Sequence, residues 1–225
     1  MVDRESDRPV VGDGGAQSVE LSFVDLLYAV PVADLAVRVS ATHLHHVMPS
    51  GWTDVALTLT TITFGWIGHH TNRQELPPPI KASRQESKRA FTTARFPQFL
   101  VEILIVVVYF ALGTRAVLPN GAGVGRAGSL WKAQCLVGVF LLYLVWDMLD
   151  IYIAVNQKPP ERDWARRAAR GGFVTMCFVG VFALFGLWAS NHPHPHSVVG
   201  FDLLAIFCLY LYRVVQQFVV LRTGP

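Results

Sequence analysis

The alternation of apolar and polar stretches divides the chain into six long apolar segments separated by short polar ones. At 1.5 Å per residue, each segment is long enough to cross a hydrocarbon core of ~30 Å as a helix. The predicted helices cover residues 18–39, 52–70, 97–118, 130–155, 171–190 and 198–221. We therefore predict an all-α, polytopic membrane protein with six transmembrane helices. Residues 1–17 are predicted to be a disordered cytoplasmic tail and residues 222–225 a second short tail.

Composition agrees with a membrane protein. Of the 225 residues 52% are hydrophobic and only 16% are charged, whereas soluble domains carry about 25% charged residues. The three cysteines lie in apolar segments, which is typical of packing residues. The net charge of +3 is spread over loops, so nucleic acid is not an expected partner. No enzyme motif or nucleotide-binding loop is present, and we expect neither an enzyme nor a cofactor.

The distribution of Lys and Arg predicts the orientation. The linkers 71–95 and 156–170 carry six and five basic residues, whereas the loops after helices one and five carry none. The loop after helix three carries only Arg115, Arg126 and, at its end, Lys132. Because basic loops stay on the cytoplasmic side, both termini are predicted to be cytoplasmic. The expected location is the cell membrane, with multiple passes.

Helix one combines an apolar stripe with ionisable groups. Asp34 shares a face with Val30 and Val37 at helical spacing. If copies of this helix meet on a symmetry axis, these three residues line a pore and Asp34 forms a carboxylate ring that attracts cations. Alternatively, Asp34 forms an ion pair with Arg38, four residues later, and only anchors the helix. Both interpretations stay open from the sequence.

A second polar group joins the start of helix one to the end of helix two, because both lie on the same side of the membrane. It consists of Asp25, Trp66, His69 and His70. The favoured interpretation is a structural hydrogen bond that holds the two helices together, since a carboxylate in a membrane needs a donor. The alternative is that His69 or His70 senses pH.

Other ionisable residues lie within or between the helices. Glu102, Asp147 and Asp150 are a possible ion relay, although acids near helix ends are also ordinary interfacial residues. Glu102 could instead pair with Arg213. Six histidines in two external loops either capture a transition metal or are simply solvated; they are His43, His45, His46, His192, His194 and His196.

Two short motifs resemble a known family. Phe23-Val24-Asp25 resembles the F-S-D signature, and Trp66-Ile67-Gly68-His69-His70 the W-x-N-H-H run, of the six-helix potassium channels that lack a P-loop filter (the transmembrane protein 175 family). The resemblance implies a homotetramer around helix one, with Asp25, Trp66, His69 and His70 holding helices one and two together.

The chain also departs from that family. Val24 replaces the serine, Gly68 the asparagine, Val19 an arginine and Asp34 an apolar pore residue. Helix one is in addition similar to the E-L-x-F-x-D-L opening of the low-temperature-requirement membrane protein family, whose chains are typically longer.

These observations lead to one functional expectation and two alternatives. We expect a homo-oligomeric, potassium-like cation channel with helix one lining the pore; its partners are the lipid bilayer, monovalent cations and further copies of itself. The first alternative is a proton- or metal-ion-coupled carrier in which each subunit works alone. The second is a membrane-anchored interaction protein whose basic linkers bind anionic lipid or a cytoplasmic partner.

Overall fold

The computed structural model describes six helices and the residue that follows the third. The described residues are 14–41, 49–74, 96–114, 126–156, 162–191 and 195–221. Within these ranges every residue is helical except Thr114, which forms a turn. The helices are α1 (Gly14–Ala41), α2 (Pro49–Gln74), α3 (Phe96–Gly113), α4 (Arg126–Asn156), α5 (Arg162–Asn191) and α6 (Pro195–Leu221). They correspond one to one to the six predicted helices.

Four of the helices are long and apolar enough to span a membrane, which indicates a membrane protein. The candidate spans are Phe96–Gly113, Ser129–Asn156, Ala165–Trp188 and Val198–Phe218. Within the described residues, α1 and α2 are not among them. Helix α1 carries Asp25, Asp34 and Arg38, and α2 is rich in threonine, so both have lower hydropathy.

The helix ends differ from the predicted ones at several places. Helix α1 begins at Gly14, inside the segment predicted to be a tail, and residues 1–13 lie outside the described ranges. Helix α5 begins at Arg162 rather than at Gly171, so much of the second basic linker is helical. The alanines and arginines of residues 162–170 favour a helix, and this helix begins after Pro159 and Pro160. Helix α3 ends at Gly113, and residues 115–118 of its predicted range are not described.

The closest helix pair is the antiparallel hairpin of α4 and α5. Gly186, late in α5, faces Ala133, early in α4, and a Cβ at position 186 would lie 2.8 Å from the Ala133 Cβ. Gly172, early in α5, faces Asp147, late in α4. Helix α6 packs against α2 and α5, and α3 packs against α1, α2 and α4. Helix α1 therefore lies at the periphery, in contact with α2 and α3.

Aromatic rings fill the main core. Phe140 of α4 lies at its centre, with its ring centroid 5.0 Å from that of Phe182 and 4.8 Å from that of Tyr212. A second core surrounds Tyr109 of α3, whose ring packs against Tyr28 of α1 at 5.9 Å. Burial of rings of this size is a major source of stability in a helical bundle.

Helix α2 turns its polar side inward. Its buried residues include Asp54, Thr58, Thr61 and His69, whereas the large apolar side chains of Trp52, Leu59 and Trp66 are exposed. The four apolar helices also expose large hydrophobic residues; on α3 these are Phe96, Leu100, Leu104 and Val107. An apolar exterior around a polar helix face suits a bundle in lipid, because ionisable groups in a membrane face the protein interior.

Candidate functional site

Two groups of ionisable residues lie at opposite ends of the buried face of α2. Asp54 belongs to the first group and His69 to the second, and 15 residues of helix separate them by about 22 Å. Between them, the hydroxyls of Thr58 and Thr61 donate to carbonyls of their own helix, at 2.8 and 2.7 Å. One helix face inside a single chain thus connects both groups.

The first group is the lysine cluster, which consists of Thr53, Asp54, Lys132 and Asp202. The Lys132 ammonium donates to both carboxylate oxygens of Asp202, at 2.9 and 3.0 Å, and to Oδ1 of Asp54. The Thr53 hydroxyl donates to Oδ2 of Asp202 at 2.6 Å. The side chain of Asp202 is fully buried, and those of Lys132 and Asp54 are 8% and 11% exposed.

The lysine cluster forms because α2, α4 and α6 run in the same direction. Asp54, Lys132 and Asp202 each lie near the start of their helix, so these three helix starts meet at one end of the bundle. Lys132 was predicted to lie at the end of the loop after helix three, but its ammonium is paired with two buried carboxylates. A lysine between apolar residues indicates in the sequence that the side chain is buried and needs an acidic partner. The neighbouring residues do not show which acids those partners are.

The charges of the lysine cluster do not balance when all groups are ionised. Two carboxylates face one ammonium, which leaves a net charge of −1 away from water. With one proton the cluster is neutral, which avoids the cost of an uncompensated buried charge.

The second group surrounds a cavity of about 40 Å³ between α2, α3, α4 and α6. We call it the histidine cavity. Its lining residues are Gly65, Gly68, His69, Glu102, Ile105, Tyr143, Trp146, Asp147, Tyr212, Arg213 and Gln216.

His69 and Glu102 are in close, buried contact in the wall of the histidine cavity. His69 Nδ1 lies 2.5 Å from Glu102 Oε1, and the two side chains are only 4% and 3% exposed. The second ring nitrogen of His69, Nε2, is buried and has no hydrogen-bond partner among the described residues. Glu102, a predicted relay residue, therefore pairs with a histidine rather than with Arg213.

Arg213 enters the same cavity from α6. Its Nη1 donates to Gln216 Oε1 at 2.8 Å, and its Nη2 donates to the carbonyl of Phe64. The guanidinium occupies the space where a Cβ at position 68 would lie, so a side chain there would require the flexible end of Arg213 to move. Gly68 is one of the departures from the channel family, and the structure gives it a physical reason.

The other two predicted relay residues have different surroundings. Asp147 accepts a hydrogen bond from the Thr175 hydroxyl at 3.1 Å, and Thr175 in turn lies 3.2 Å from the Tyr212 hydroxyl. Asp150 accepts from Gln98 Nε2 at 2.7 Å and does not line the histidine cavity. Two of the three candidates, Glu102 and Asp147, thus share one cavity.

The polar group predicted between helices one and two divides into two parts. Trp66 Nε1 donates to Asp25 Oδ1 at 2.8 Å, and His70 Nε2 lies 3.3 Å from the same oxygen. His69, the neighbour of His70, faces Glu102 on the other side of α2. Asp25 is about half exposed in the single chain, so this contact lies at the surface.

On α1, Asp34 and Arg38 form the ion pair that the sequence offered as the alternative to a pore-lining Asp34. Arg38 Nε donates to Asp34 Oδ2 at 2.6 Å, and Arg38 Nη1 lies 3.5 Å from the carbonyl of Thr114. Val30 and Val37 are 47% and 65% exposed and form no part of the core of the chain. The stripe predicted to line a pore is therefore an outer surface of the subunit.

The histidines of the two predicted external loops lie outside the described residues, apart from His196, which falls in the first turn of α6. Within the described residues, no group of three or more His, Cys, Asp or Glu side chains is arranged to hold a metal ion.

Comparison with known proteins adds no relative. No family model, curated protein or solved structure matches the chain. The resemblance of its two short motifs to the potassium channels without a P-loop filter therefore stays a prediction.

Proposed function

We propose that the chain is a six-span membrane carrier that exchanges protons for a small monovalent cation inside each subunit. The observation that carries this proposal is the buried polar face of α2, which joins two ionisable groups within one bundle. Ionisable residues are costly inside a membrane and commonly mark ion pathways. A path inside the subunit needs no second copy, unlike a pore lined by α1.

The lysine cluster is the exchange site in this proposal. With one proton shared by Asp54 and Asp202, the two carboxyl groups and the Lys132 ammonium have no net charge. When the proton leaves, a net charge of −1 remains in a poorly solvated place, and a monovalent cation restores neutrality. Proton and cation therefore compete for the same pair of carboxylates, which is the requirement for exchange.

In this proposal the histidine cavity, at the other end of α2, is the route by which protons enter the bundle. Its imidazole, carboxylate and phenol groups can pass protons between them. Tyr109 and Tyr143, whose hydroxyl oxygens lie 2.6 Å apart, form part of the polar interior beside it. The side of the membrane on which the cavity opens is predicted to be cytoplasmic from the basic linkers.

The test is ion exchange in liposomes. The purified chain is reconstituted with a pH-sensitive dye inside the vesicles, and sodium or potassium gradients are applied in turn. Asp202→Asn removes one carboxylate and leaves a balanced Asp54–Lys132 pair, so we expect a folded protein whose cation-driven proton flux falls to that of empty vesicles. Asp34→Asn, on the outer face of α1, is the control and is expected to retain the flux.

A second candidate function is the cation channel around α1, and one observation favours it. Helix α1 is peripheral and exposes Val30 and Val37, which leaves this face free to meet other copies of the chain. In this case Asp34→Asn reduces flux, Asp202→Asn does not, and the protein is an oligomer in detergent. The two variants therefore separate the carrier from the channel. Absence of flux in the unmodified protein would contradict both and leave the interaction protein.

A further inference from the structure

We infer that His69, which lines the histidine cavity, is a proton-binding site, held by Glu102 through one ring nitrogen and able to bind a proton at its other, buried nitrogen. This inference deepens the proposed carrier function, because it names the group that takes up protons at the cavity end of α2. It also concerns an equilibrium property of the folded chain, so it can be tested without any transport.

The contact with Glu102 fixes the orientation of the imidazole ring. At 2.5 Å, one proton must lie between His69 Nδ1 and Glu102 Oε1, because two lone pairs would repel each other, and with Glu102 ionised that proton is on Nδ1. A carboxylate behind one ring nitrogen sets the tautomer of the ring. The lone pair of the neutral ring then lies on Nε2.

Nε2 needs a partner that the described residues do not provide. Buried polar atoms are nearly always hydrogen-bonded to protein or to ordered water, and His69 Nε2 and Arg213 Nε both lack a partner among the described residues. Both residues line the cavity, whose volume of about 40 Å³ has room for about three water molecules at ~10–15 Å³ each. The ligand that suits Nε2 is therefore water and the proton that water delivers.

Ionisable groups on several helices face His69. Glu102 lies on α3, Asp147 on α4 and Arg213 on α6. The neutral phenol of Tyr28 on α1 lies near the ring, and so does the neighbouring His70. With both carboxylates ionised, the cavity carries a net charge of −1, and a proton on His69 brings it to zero.

The experiment is ¹⁵N NMR on the full chain in lipid nanodiscs with ¹⁵N-labelled histidine, over pH 5 to 9. The His69 signals are identified by their loss in His69→Gln. At high pH we expect the tautomer protonated at Nδ1, with an unprotonated Nε2, and at low pH protons on both nitrogens. Glu102→Gln should shift the neutral ring towards the Nε2-protonated tautomer. His70→Gln is the matched control and should leave the His69 signals in place.

The outcomes separate this inference from the proposed function. If His69 stays neutral throughout the pH range, or if its neutral ring carries the proton at Nε2, the inference is wrong even when the liposomes show exchange. If the NMR result is as expected and the unmodified protein moves no ions, His69 remains a proton-binding site and the carrier proposal fails. If the inference and the carrier proposal both hold, His69→Gln should lose most of the proton flux and His70→Gln should retain it.

Discussion

Gly68 of α2 and Arg213 of α6 lie so close together that the guanidinium fills the space of a side chain at position 68. The absence of a Cβ allows Arg213 to reach the carbonyl of Phe64 and to form one wall of the histidine cavity.

Gly68→Ala should therefore displace Arg213 and destabilise the bundle. Insertion of a methyl group into a packed site costs about 1–3 kcal/mol and the helix-propensity gain is about 1 kcal/mol, so we expect a net loss of at most about 2 kcal/mol. Thermal unfolding in detergent measures the effect. Gly180→Ala in α5 is the control, because a Cβ there meets no atom within 4 Å. Equal stability of both variants would contradict the close approach.

The lysine cluster predicts an asymmetry between removal of its base and removal of one acid. Lys132→Met leaves two carboxylates without their cation, and loss of one partner of a buried ion pair costs about 3–5 kcal/mol. Asp202→Asn leaves one carboxylate with one ammonium and should cost clearly less. The double variant should recover part of the stability lost in Lys132→Met. Thermal unfolding midpoints of the three variants test this order, and the reverse order would contradict the role of Lys132 as the cation that compensates both carboxylates.

Asp25 is expected to contribute to the contact between α1 and α2. Asp25→Ala removes the hydrogen bond from Trp66 and the neighbour of His70, at a cost of about 0.5–1.5 kcal/mol for one net hydrogen bond. Because the site is about half exposed, the lower end of this range is expected. The fluorescence of Trp66, read as the difference from a Trp66→Phe variant, should change in Asp25→Ala. Normal stability with altered permeation would contradict the structural role.

The ion pair of Asp34 and Arg38 should contribute little to stability, since both side chains are about one third exposed and such pairs contribute about 0–1 kcal/mol. Asp34→Asn combined with Arg38→Gln should be as stable as the unmodified chain, as judged by thermal unfolding. A large loss in either single variant that the double variant restores would show that the pair anchors α1 strongly.

The predicted orientation can be tested by accessibility labelling of single cysteines in a background without Cys135, Cys177 and Cys208. Cysteines placed within residues 75–95 and 157–161 should react with a membrane-impermeant reagent only from the cytoplasmic side. Those within residues 42–48 and 192–194 should react only from outside. A basic linker that reacts from outside would contradict both the six-span topology and the predicted side of the histidine cavity.

The sequence by itself determined the helices and their local pairs. Six apolar segments predicted six helices because apolar runs of this length are typical of the bilayer. The pair of Asp34 and Arg38 follows from their spacing, since residues four apart are neighbours on a helix.

Only the tertiary structure decided which partners these residues have. His69 and His70 are adjacent in sequence, but a helix turns them about 100° apart, so His69 faces Glu102 on α3 and His70 faces Asp25 on α1. Lys132 is buried because the starts of α2 and α6 supply carboxylates beside it. A helix fixes the angle between its own side chains. The helix that packs against each face depends on segments distant in the sequence, so it cannot be predicted from a local pattern.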